Sequence, residues 1–469
     1  MRSLGRNYAL NAVNTVGGVV FYLITFPYSA RVLGPEAIGQ VNFYQSIITY
    51  ISLISCLGIP LYGVREIARL AHKPAERSRT AVELLLLHLQ LTAAAAVVIG
   101  LLCVAVPQIR ADIPLFLVLS SSLLFAAIGC EWFFSGTEDF AYITVRGLCV
   151  RVAYAIVLFS CVHSPQDLLL YGALTVFGTY GSHVFNLMRF RRLSASPEPL
   201  RGLQPWRHSR AVARVFGMTV ASAIYINLNV VILGFISGDT AVGYFMGAMK
   251  IVTVPLGLLT ALQTTLLPRT SALLATDRPD EYRAVLRKSM RFVWALGLPM
   301  GTGLALLAEP IVLLFCGEAY LPAAGVLRIL GPALVLIAFV CVLNAAVFIP
   351  LAYEKAATAA CLGGAAVSLA VNLLLIPSMS QNGAAWASLA AEGTVAAIMA
   401  WHMRRRLHTG IIDRDTPFYL LATAVMTAAV LLVRPYAGGI VAQLVLLPLT
   451  GAAAYGATLA ASRRWPMRQ

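Results

Sequence analysis

Three cations are the residues of this sequence most able to do chemistry, because they lie in or beside long apolar stretches. Arg31 and Lys250 each accompany a short polar connection between apolar segments, and Lys250 lies well inside its segment. A charge at the centre of a membrane helix costs about 2.5–3.5 kcal/mol even on insertion scales, so it needs a reason. We expect both cations to line a passage for an anionic substrate group. Arg65 is a further candidate anion contact, although ordinary cytoplasmic positive charge explains it equally well.

Polar side chains also follow single faces of the apolar segments. Asn11 and Asn14 in the first segment, Asn42 and Gln45 in the second and Asn229 in the seventh belong to such stripes. Residues three or four apart share one face of a helix. Because amides need hydrogen-bonding partners, the stripes predict a water-accessible cavity; helix packing is the alternative explanation of any single stripe.

Acids and cysteines suggest little further chemistry. Glu131 and Glu392 are the deepest carboxylates, and each could titrate in a proton- or sodium-coupled cycle or be neutralised by a neighbour. The eight cysteines are scattered without a Cys-x-x-Cys pair, which favours apolar packing over a metal site. The sequence has no Gly-Lys-Ser/Thr phosphate loop, so we expect no nucleotide and no other cofactor.

The elements that position these residues must be membrane helices. Of 469 residues, 59% are apolar and only 12% are charged, against about 25% charged in an ordinary soluble domain. Apolar runs of about 20 residues, each long enough to span a bilayer, recur from end to end. The net charge of +15 then reflects the excess of basic residues on the cytoplasmic side rather than nucleic-acid binding.

The apolar runs predict an all-α membrane protein with about fourteen transmembrane helices and both termini in the cytoplasm. The predicted spans are 9–30, 38–61, 83–106, 114–136, 143–162, 168–188, 215–236, 242–267, 292–315, 326–349, 356–376, 383–403, 417–434 and 439–461. This topology puts 30 of the 35 Lys and Arg residues inside, with Arg146 and Arg151 counted among them. The five outward cations are Arg31, Arg110, Lys250, Arg328 and Arg434.

A weak internal repeat divides the chain into two halves, although chance similarity between two membrane hairpins would also explain it. The repeated features are Leu33-Gly34 with Leu233-Gly234 and Gly39 with Gly243. We therefore predict two six-helix bundles around a central cavity, plus two C-terminal helices. The predicted segments are an N-terminal bundle (1–190), a cytoplasmic linker (191–214), a C-terminal bundle (215–403), and accessory helices with a tail (404–469).

Several stretches together resemble the bacterial O-antigen and polysaccharide repeat-unit flippases of the multidrug/oligosaccharidyl-lipid/polysaccharide exporter superfamily. They are Leu33-Gly34-Pro35-Glu36, the segment Leu57 to Ala68 with its Gly-Val-Arg-Glu, the segment Glu131 to Phe140, and Leu233 to Tyr244. The resemblance implies two six-helix bundles in the bacterial cytoplasmic membrane. It also implies an undecaprenyl-pyrophosphate-linked oligosaccharide as the substrate, with Arg31, Arg65 and Lys250 facing the pyrophosphate.

Two other classes of function compete with this hypothesis. A cation-coupled drug or toxin exporter of the same superfamily would need an acid-rich cavity, and a polysaccharide polymerase or ligase would need a long outward loop. The sequence favours neither, so we expect a transporter rather than an enzyme. Membrane lipids are expected partners, a polysaccharide polymerase and a chain-length regulator are candidate partners, and nucleic acid is not expected.

Overall fold

The computed structural model describes residues 4–193, 202–407 and 415–462, and every regular element in these ranges is a helix. Side chains are described there except for residues 4–16, 19–20, 140, 193, 217–226, 261–262, 264 and 406–407. A helix pairs its backbone polar groups internally, as a bilayer requires. The chain divides into two compact units, Met1–Asn227 (unit 1) and Leu228–Gln469 (unit 2).

Unit 1 contains nine helices and the start of a tenth within its described residues. They are α1 Leu4–Cys56, α2 Ile59–Arg69, α3 Pro74–Ala105, α4 Pro107–Arg110, α5 Ile113–Gly129, α6 Glu131–Gly136, α7 Phe140–Cys161, α8 Leu168–Tyr180, α9 His183–Leu193 and α10 Ser209–Ser237. The boundary between the units falls inside α10, between Asn227 and Leu228.

Unit 2 continues with eight helices in its described part. They are α11 Asp239–Ala275, α12 Pro279–Leu306, α13 Ala308–Phe315, α14 Ala323–Leu343, α15 Glu354–Met379, α16 Gln381–Leu407, α17 Thr416–Val433 and α18 Ile440–Ala461. The two C-terminal helices are anchored on α12, where the Tyr455 hydroxyl donates to the Ala295 carbonyl at 2.6 Å and Arg291 pairs with Asp415 at 3.3 Å.

The helices confirm a multi-pass membrane protein but not the predicted count of fourteen spans. Eleven described helices are long and apolar enough to cross a membrane, or twelve if α12 and α13, bent by 74°, form one span. One of the eleven, Phe21–Arg69, has 49 residues and includes the break at Gly34. Its length along the helix path is roughly 70 Å, which is enough for two crossings. In α10, the described stretch Asn227–Ser237 is apolar but shorter than a membrane span. Fourteen therefore stays a prediction.

Glycine turns correct the register of the repeat. Gly34, which interrupts α1, has φ 79° and ψ 175°, and Gly238, just before α11, has φ 81° and ψ −179°. This backbone region is essentially restricted to glycine. Gly238, rather than Gly234, is therefore the counterpart of Gly34, and each lies five residues before the glycines at 39 and 243. Pairing Leu33-Gly34 with Leu233-Gly234 was wrong, because Gly234 lies inside α10.

The corrected register also separates the two cations that the sequence had placed on equivalent hairpins. Arg31 precedes its glycine turn at Gly34, whereas Lys250 follows its turn at Gly238 by more than three helical turns. In the new register Lys250 corresponds to Ser46 of α1. The cations therefore lie in different parts of the repeated hairpin.

Two of the stretches that carried the family resemblance pack on each other in unit 1. A Cβ added at Gly63 of α2 would come within 2.8 Å of the Trp132 ring of α6, and one at Gly136 would meet Ile67 at 2.9 Å. Trp132 and Ile67 belong to one buried aromatic and aliphatic cluster. These motif residues therefore fix one end of unit 1 by close helix contact.

The connection before α10 is fastened to unit 1 by a fully buried carboxylate. Glu83 of α3, whose side chain is 0% exposed, accepts the Gln204 backbone N–H at 3.0 Å and pairs with Arg207 at 2.6 Å and Arg79 at 3.3 Å. His208 Nε2 lies 3.0 Å from the same carboxylate. Four partners compensate the loss of water around this charge.

The first turns of α10 then continue this attachment. His208 Nδ1 is bonded to the Tyr62 hydroxyl at 3.0 Å, and Val212 is buried in the same cluster as Trp132. Gly58, with φ 81°, lets the backbone of α10 approach so closely that a Cβ there would lie 2.9 Å from the Phe216 nitrogen. The end of the connecting segment is thus an ordered part of unit 1.

Replacing Gly238 with Ala is expected to destabilise the protein by about 1–3 kcal/mol, because alanine must adopt a backbone conformation reserved for glycine. A Cβ there meets no atom within 4 Å, so any loss reports backbone strain alone. The measurement is the thermal unfolding midpoint in detergent. The control is Gly257→Ala, at an open position inside α11, which should be neutral or stabilising. Equal midpoints for both variants would contradict the role of Gly238.

Replacing Glu83 with Gln is expected to cost about 1–3 kcal/mol, because a buried amide accepts fewer of the hydrogen bonds that Arg79, Arg207 and the Gln204 N–H give to the carboxylate. The measurements are the unfolding midpoint and protease cleavage within residues 194–214, which should become faster. Glu76→Gln is the matched control, since Glu76 forms an exposed pair with Lys73; we expect a change of about 1 kcal/mol or less. If both variants lower the midpoint equally, Glu83 does not hold the segment.

Candidate functional site

Arg31 lies just before the break of α1 at Gly34, and Arg65 lies in α2, beyond the end of α1. Both are exposed, and the Arg65 guanidinium lies 5.7 Å from the centre of the Tyr62 ring. The helices between Gly34 and Arg65 have a combined length of roughly 45 Å, more than the hydrocarbon core of a bilayer. One small anionic group cannot contact both cations at once. If both bind it, they do so at different stages.

Arg151 is a cation that the sequence analysis counted only among the cytoplasmic charges, and that assignment stays a prediction. It lies ten residues from each end of the candidate span Ala141–Cys161. Its half-buried guanidinium lies against α1 beside Gly17 and Gly18. The signal was in the sequence, because Arg151 falls as deep within its apolar run as Lys250 does.

Lys250, Asn42 and Gln45 are half-buried in their helices, as residues that line a cavity would be. Lys250 belongs to α11, and the other two belong to the second arm of α1. The Asn42 amide donates to the Ile38 carbonyl at 2.7 Å. Asn11 and Asn14 belong to α1, but the structure does not describe their side chains.

The hydroxyls of the predicted stripes give less support to a wet cavity than expected. Thr25, Thr49 and Thr253, which belong to the polar stripes of the first, second and eighth apolar segments, each donate to the carbonyl four residues earlier in their own helix. Such back-bonding satisfies a hydroxyl without water or another helix. The stripes therefore do not by themselves require a water-filled space, and the contact of Asn42 and Gln45 with substrate stays a prediction.

Asn229 lies in a compact polar cluster inside unit 2. Its carbonyl oxygen accepts from Ser368 at 2.8 Å and from Asn372 at 2.6 Å, and its amide donates to Ser388 at 2.7 Å. Asn229 is 7% exposed, while Ser368 and Asn372 are fully buried. The cluster joins α10, α15 and α16, so the structure places Asn229 in a helix interface.

The carboxylate of Glu131 lies at the break between α5 and α6 and is paired with an arginine. Arg146 of α7 lies 2.7 Å from the Glu131 carboxylate and also donates to Asn186, whose amide donates to the Gly129 carbonyl at 2.6 Å. The sequence analysis offered two roles for Glu131, titration in a coupled cycle and neutralisation by a neighbour, and this ion pair corresponds to the second. Glu392 is half-buried in α16. A coupling role for either carboxylate stays a prediction.

Glu309 forms ion pairs with two of the predicted outward cations, both in unit 2. Its carboxylate lies 2.8 Å from Arg328 and 3.3 Å from Arg434, and so ties α13 to the ends of α14 and α17. Arg110 of unit 1 instead caps the end of α3 by donating to the Val104 carbonyl. These three outward cations have structural partners that explain their positions.

An apolar groove of about 620 Å³ runs along unit 2 between α11, α12, α17 and α18. Its walls are aliphatic side chains, methionines, prolines and glycines, exemplified by Leu258, Met300 and Leu447. The Tyr455 hydroxyl at its edge is satisfied by the Ala295 carbonyl. A hydrocarbon chain fits the chemistry of this groove, whereas a sugar would find almost no hydrogen-bonding partner there.

No group of three or more His, Cys, Asp or Glu residues in the described ranges is arranged to hold a metal ion. The cysteines are free thiols.

Comparison with known proteins places this architecture in a family. The model of the family described as polysaccharide biosynthesis protein matches residues 4–274, and that of lipid II flippase MurJ matches residues 148–449. A protein of Escherichia coli (strain K12) named "Putative O-antigen transporter" is 26% identical over 403 residues, which cover 86% of this chain and 97% of that protein. Lipid II flippase MurJ of Bacillus subtilis (strain 168) is 26% identical over 206 residues, 42% of this chain and 37% of that protein.

Solved structures share the fold at low sequence identity. A lipid II flippase MurJ in an inward closed conformation superposes with a TM-score of 0.75 at 14% identity and covers 97% of this chain and 99% of its own. An inward-facing multidrug resistance MATE family transporter of the MOP superfamily gives a TM-score of 0.66 at 15% identity, covering 83% and 94%. The resemblance found in the sequence motifs is thereby confirmed: this chain belongs to the polysaccharide biosynthesis protein family and has the fold of the lipid II flippase MurJ.

Proposed function

We propose that this chain is a flippase for an undecaprenyl-pyrophosphate-linked oligosaccharide in the bacterial cytoplasmic membrane. The substrate moves from the inner to the outer leaflet, with both termini of the chain in the cytoplasm. Relatives named as an O-antigen transporter and a lipid II flippase support this class of substrate. The expected charge distribution, with most Lys and Arg inside, supports the orientation.

The observation that carries the proposal is that one chain combines an apolar groove with cations inside its membrane spans. The groove of unit 2 suits a polyprenyl tail, and half-buried Lys250 suits the anionic pyrophosphate. A drug exporter needs no groove for a long lipid tail. A transporter of free, water-soluble sugars needs neither the groove nor the cations. The same chain therefore offers a contact for each end of an amphiphilic substrate.

The head group is transferred by alternating access, in which one half of the molecule rocks against the other. Arg65 receives the pyrophosphate at the cytoplasmic end, Lys250 binds it within the membrane, and Arg31 contacts it at the outer end. Asn11, Asn14, Asn42 and Gln45 supply hydrogen bonds to the sugars. The tail stays in an apolar environment throughout, against the groove of unit 2.

An ion gradient supplies the energy for the cycle, since the sequence has no nucleotide-binding loop. Glu392 is the better candidate for the coupling carboxylate, because Glu131 is held by Arg146 at 2.7 Å. Export of repeat units also requires enzymes that consume them on the outer face, for which a polysaccharide polymerase and a chain-length regulator are the candidate partners.

The direct test is transport by the full chain reconstituted in liposomes. Undecaprenyl-pyrophosphate-linked oligosaccharide labelled on its sugar is added to one leaflet, and its arrival in the other is followed by accessibility to a sugar-modifying enzyme. We expect transfer above the rate of protein-free liposomes. Transfer of cationic drugs in the same vesicles, without transfer of the lipid-linked sugar, would favour the exporter alternative instead.

Lys250→Ala is expected to reduce transport about tenfold or more, because a charge-assisted hydrogen bond to the pyrophosphate contributes about 1.5–3 kcal/mol. Lys250→Arg keeps the charge and should retain part of the activity. The measurement is the liposome transport rate, supported by surface polysaccharide export in cells at matched protein level. Lys355→Ala removes an exposed lysine at the start of α15 and serves as the control. Normal export by Lys250→Ala would argue against the role.

Gly456→Phe is expected to lower transport several-fold without unfolding the protein, because the ring fills the apolar groove. Gly456 lines the groove on α18, and a Cβ there meets no atom within 4 Å. The measurement is transport at matched protein level, together with the unfolding midpoint. Gly100→Phe is the control, because a Cβ at Gly100 also meets no atom within 4 Å and Gly100 lies on α3 outside the groove, although it is exposed whereas Gly456 is half-buried. Undiminished transport by Gly456→Phe would show that the groove does not hold the tail.

A further inference from the structure

A second apolar groove, in unit 1, lies between α5, α8 and α9 and has a volume of about 430 Å³. We propose that it binds an acyl chain of an anionic phospholipid of the cytoplasmic leaflet, whose phosphate is held by Arg191 and Arg192 at the end of α9. This lipid stays with the protein and is not transported by it. The proposal therefore does not depend on the substrate proposed above.

The walls of this groove suit hydrocarbon. Ser121, the polar residue among those that line it, donates to the Val118 carbonyl at 2.6 Å and is satisfied within its own helix. A Cβ on Gly181, just after the end of α8, would lie 2.5 Å from the Phe177 ring, so glycine leaves the space in which that ring lies. A polar ligand would lose its hydrogen bonds with water here, whereas an acyl chain has none to lose. The lining residues include Val118, Phe125, Ala173, Phe177, Val184 and Phe185.

The two faces of α9 have different surroundings. His183, Asn186 and Phe190 share one face and are 7%, 0% and 2% exposed. Asn186 attaches this face to α5 by donating to the Gly129 carbonyl at 2.6 Å. The opposite face is exposed, apolar where the helix begins and basic where it ends. It consists of Val184, Phe185, Met188, Arg191 and Arg192.

This exposed face aligns the groove with the two arginines. Phe185 and Arg192 are seven residues apart, so they lie on the same side of α9, two turns or roughly 10 Å from each other. Half of the hydrocarbon core is roughly 15 Å thick. A phospholipid with its phosphate at Arg192 therefore has its acyl chain beside Phe185, within its own leaflet.

The charges at the end of α9 favour an anionic lipid. Arg191 and Arg192 are adjacent and both exposed. Arg189 has a structural role instead, because it pairs with Asp139 at 2.6 Å and lies 4.2 Å from the centre of the Tyr142 ring. A guanidinium binds two phosphate oxygens at once, and anionic lipids attract cations at the cytoplasmic surface. General cytoplasmic positive charge would explain two exposed arginines, but not an apolar groove that leads to them.

The test replaces both arginines of the full chain, as Arg191→Gln with Arg192→Gln, and measures lipid binding in detergent. Native mass spectrometry counts bound phosphatidylglycerol, and the unfolding midpoint is followed as phosphatidylglycerol or zwitterionic phosphatidylethanolamine is added. We expect phosphatidylglycerol to bind about tenfold or more weakly and to raise the midpoint less, because each cation near an anionic lipid contributes roughly fivefold. The control is Arg287→Gln with Lys288→Gln, an adjacent and exposed pair of cations on α12, which should leave binding unchanged.

A second variant tests the groove while keeping both arginines. Ala173→Phe places a ring in the groove from an exposed position on α8, and is expected to weaken phosphatidylglycerol binding several-fold. Ala93→Phe, at an exposed position on α3 outside the groove, is its control. Equal losses from both pairs of cations, or normal binding by Ala173→Phe, would overturn the proposal, since general charge attraction would then explain the binding. Displacement of phosphatidylglycerol by undecaprenyl pyrophosphate would also overturn it, because the groove would then hold the substrate.

Discussion

The bilayer core offers no water, and this one constraint governs almost every polar contact in the structure. Backbone groups are paired inside helices, as in the long α1 and α11. Hydroxyls such as those of Thr25 and Thr49 bond to their own helix, and the amide of Asn229 is paired with three side chains. A polar side chain within a membrane helix is therefore a candidate for a functional role only after its hydrogen-bond partners within the protein have been considered.

Charges follow the same constraint, and two carboxylates of unit 1 illustrate it. Buried or membrane-depth carboxylates are held by arginines, as Glu83 is by Arg207 and Glu131 is by Arg146. These pairs lie at helix breaks and connections, where they fix the ends of the elements. Arg151 lies within the candidate span Ala141–Cys161, with its guanidinium against Gly17 and Gly18 of α1.

Unit 2 offers different environments to the two parts of the proposed substrate. Its groove has apolar walls, and Lys250 of α11 is a half-buried cation in the same unit. An amphiphile can thus keep its tail in an apolar environment while its head meets charge. Related folds named for lipid II and for drugs show that one architecture serves different cargo, so the side chains decide the substrate.

The sequence by itself determined the helical membrane class, the family and the depth of Lys250, because apolar run length and motif residues are local properties. It did not determine the register of the repeat, which depends on the backbone conformation of Gly238 and not on residue identity alone. Nor could it show that Glu131 is paired or that Asn229 lies in a helix interface, since the partners come from distant segments. Helical periodicity identifies a face, but only the tertiary structure shows what that face contacts.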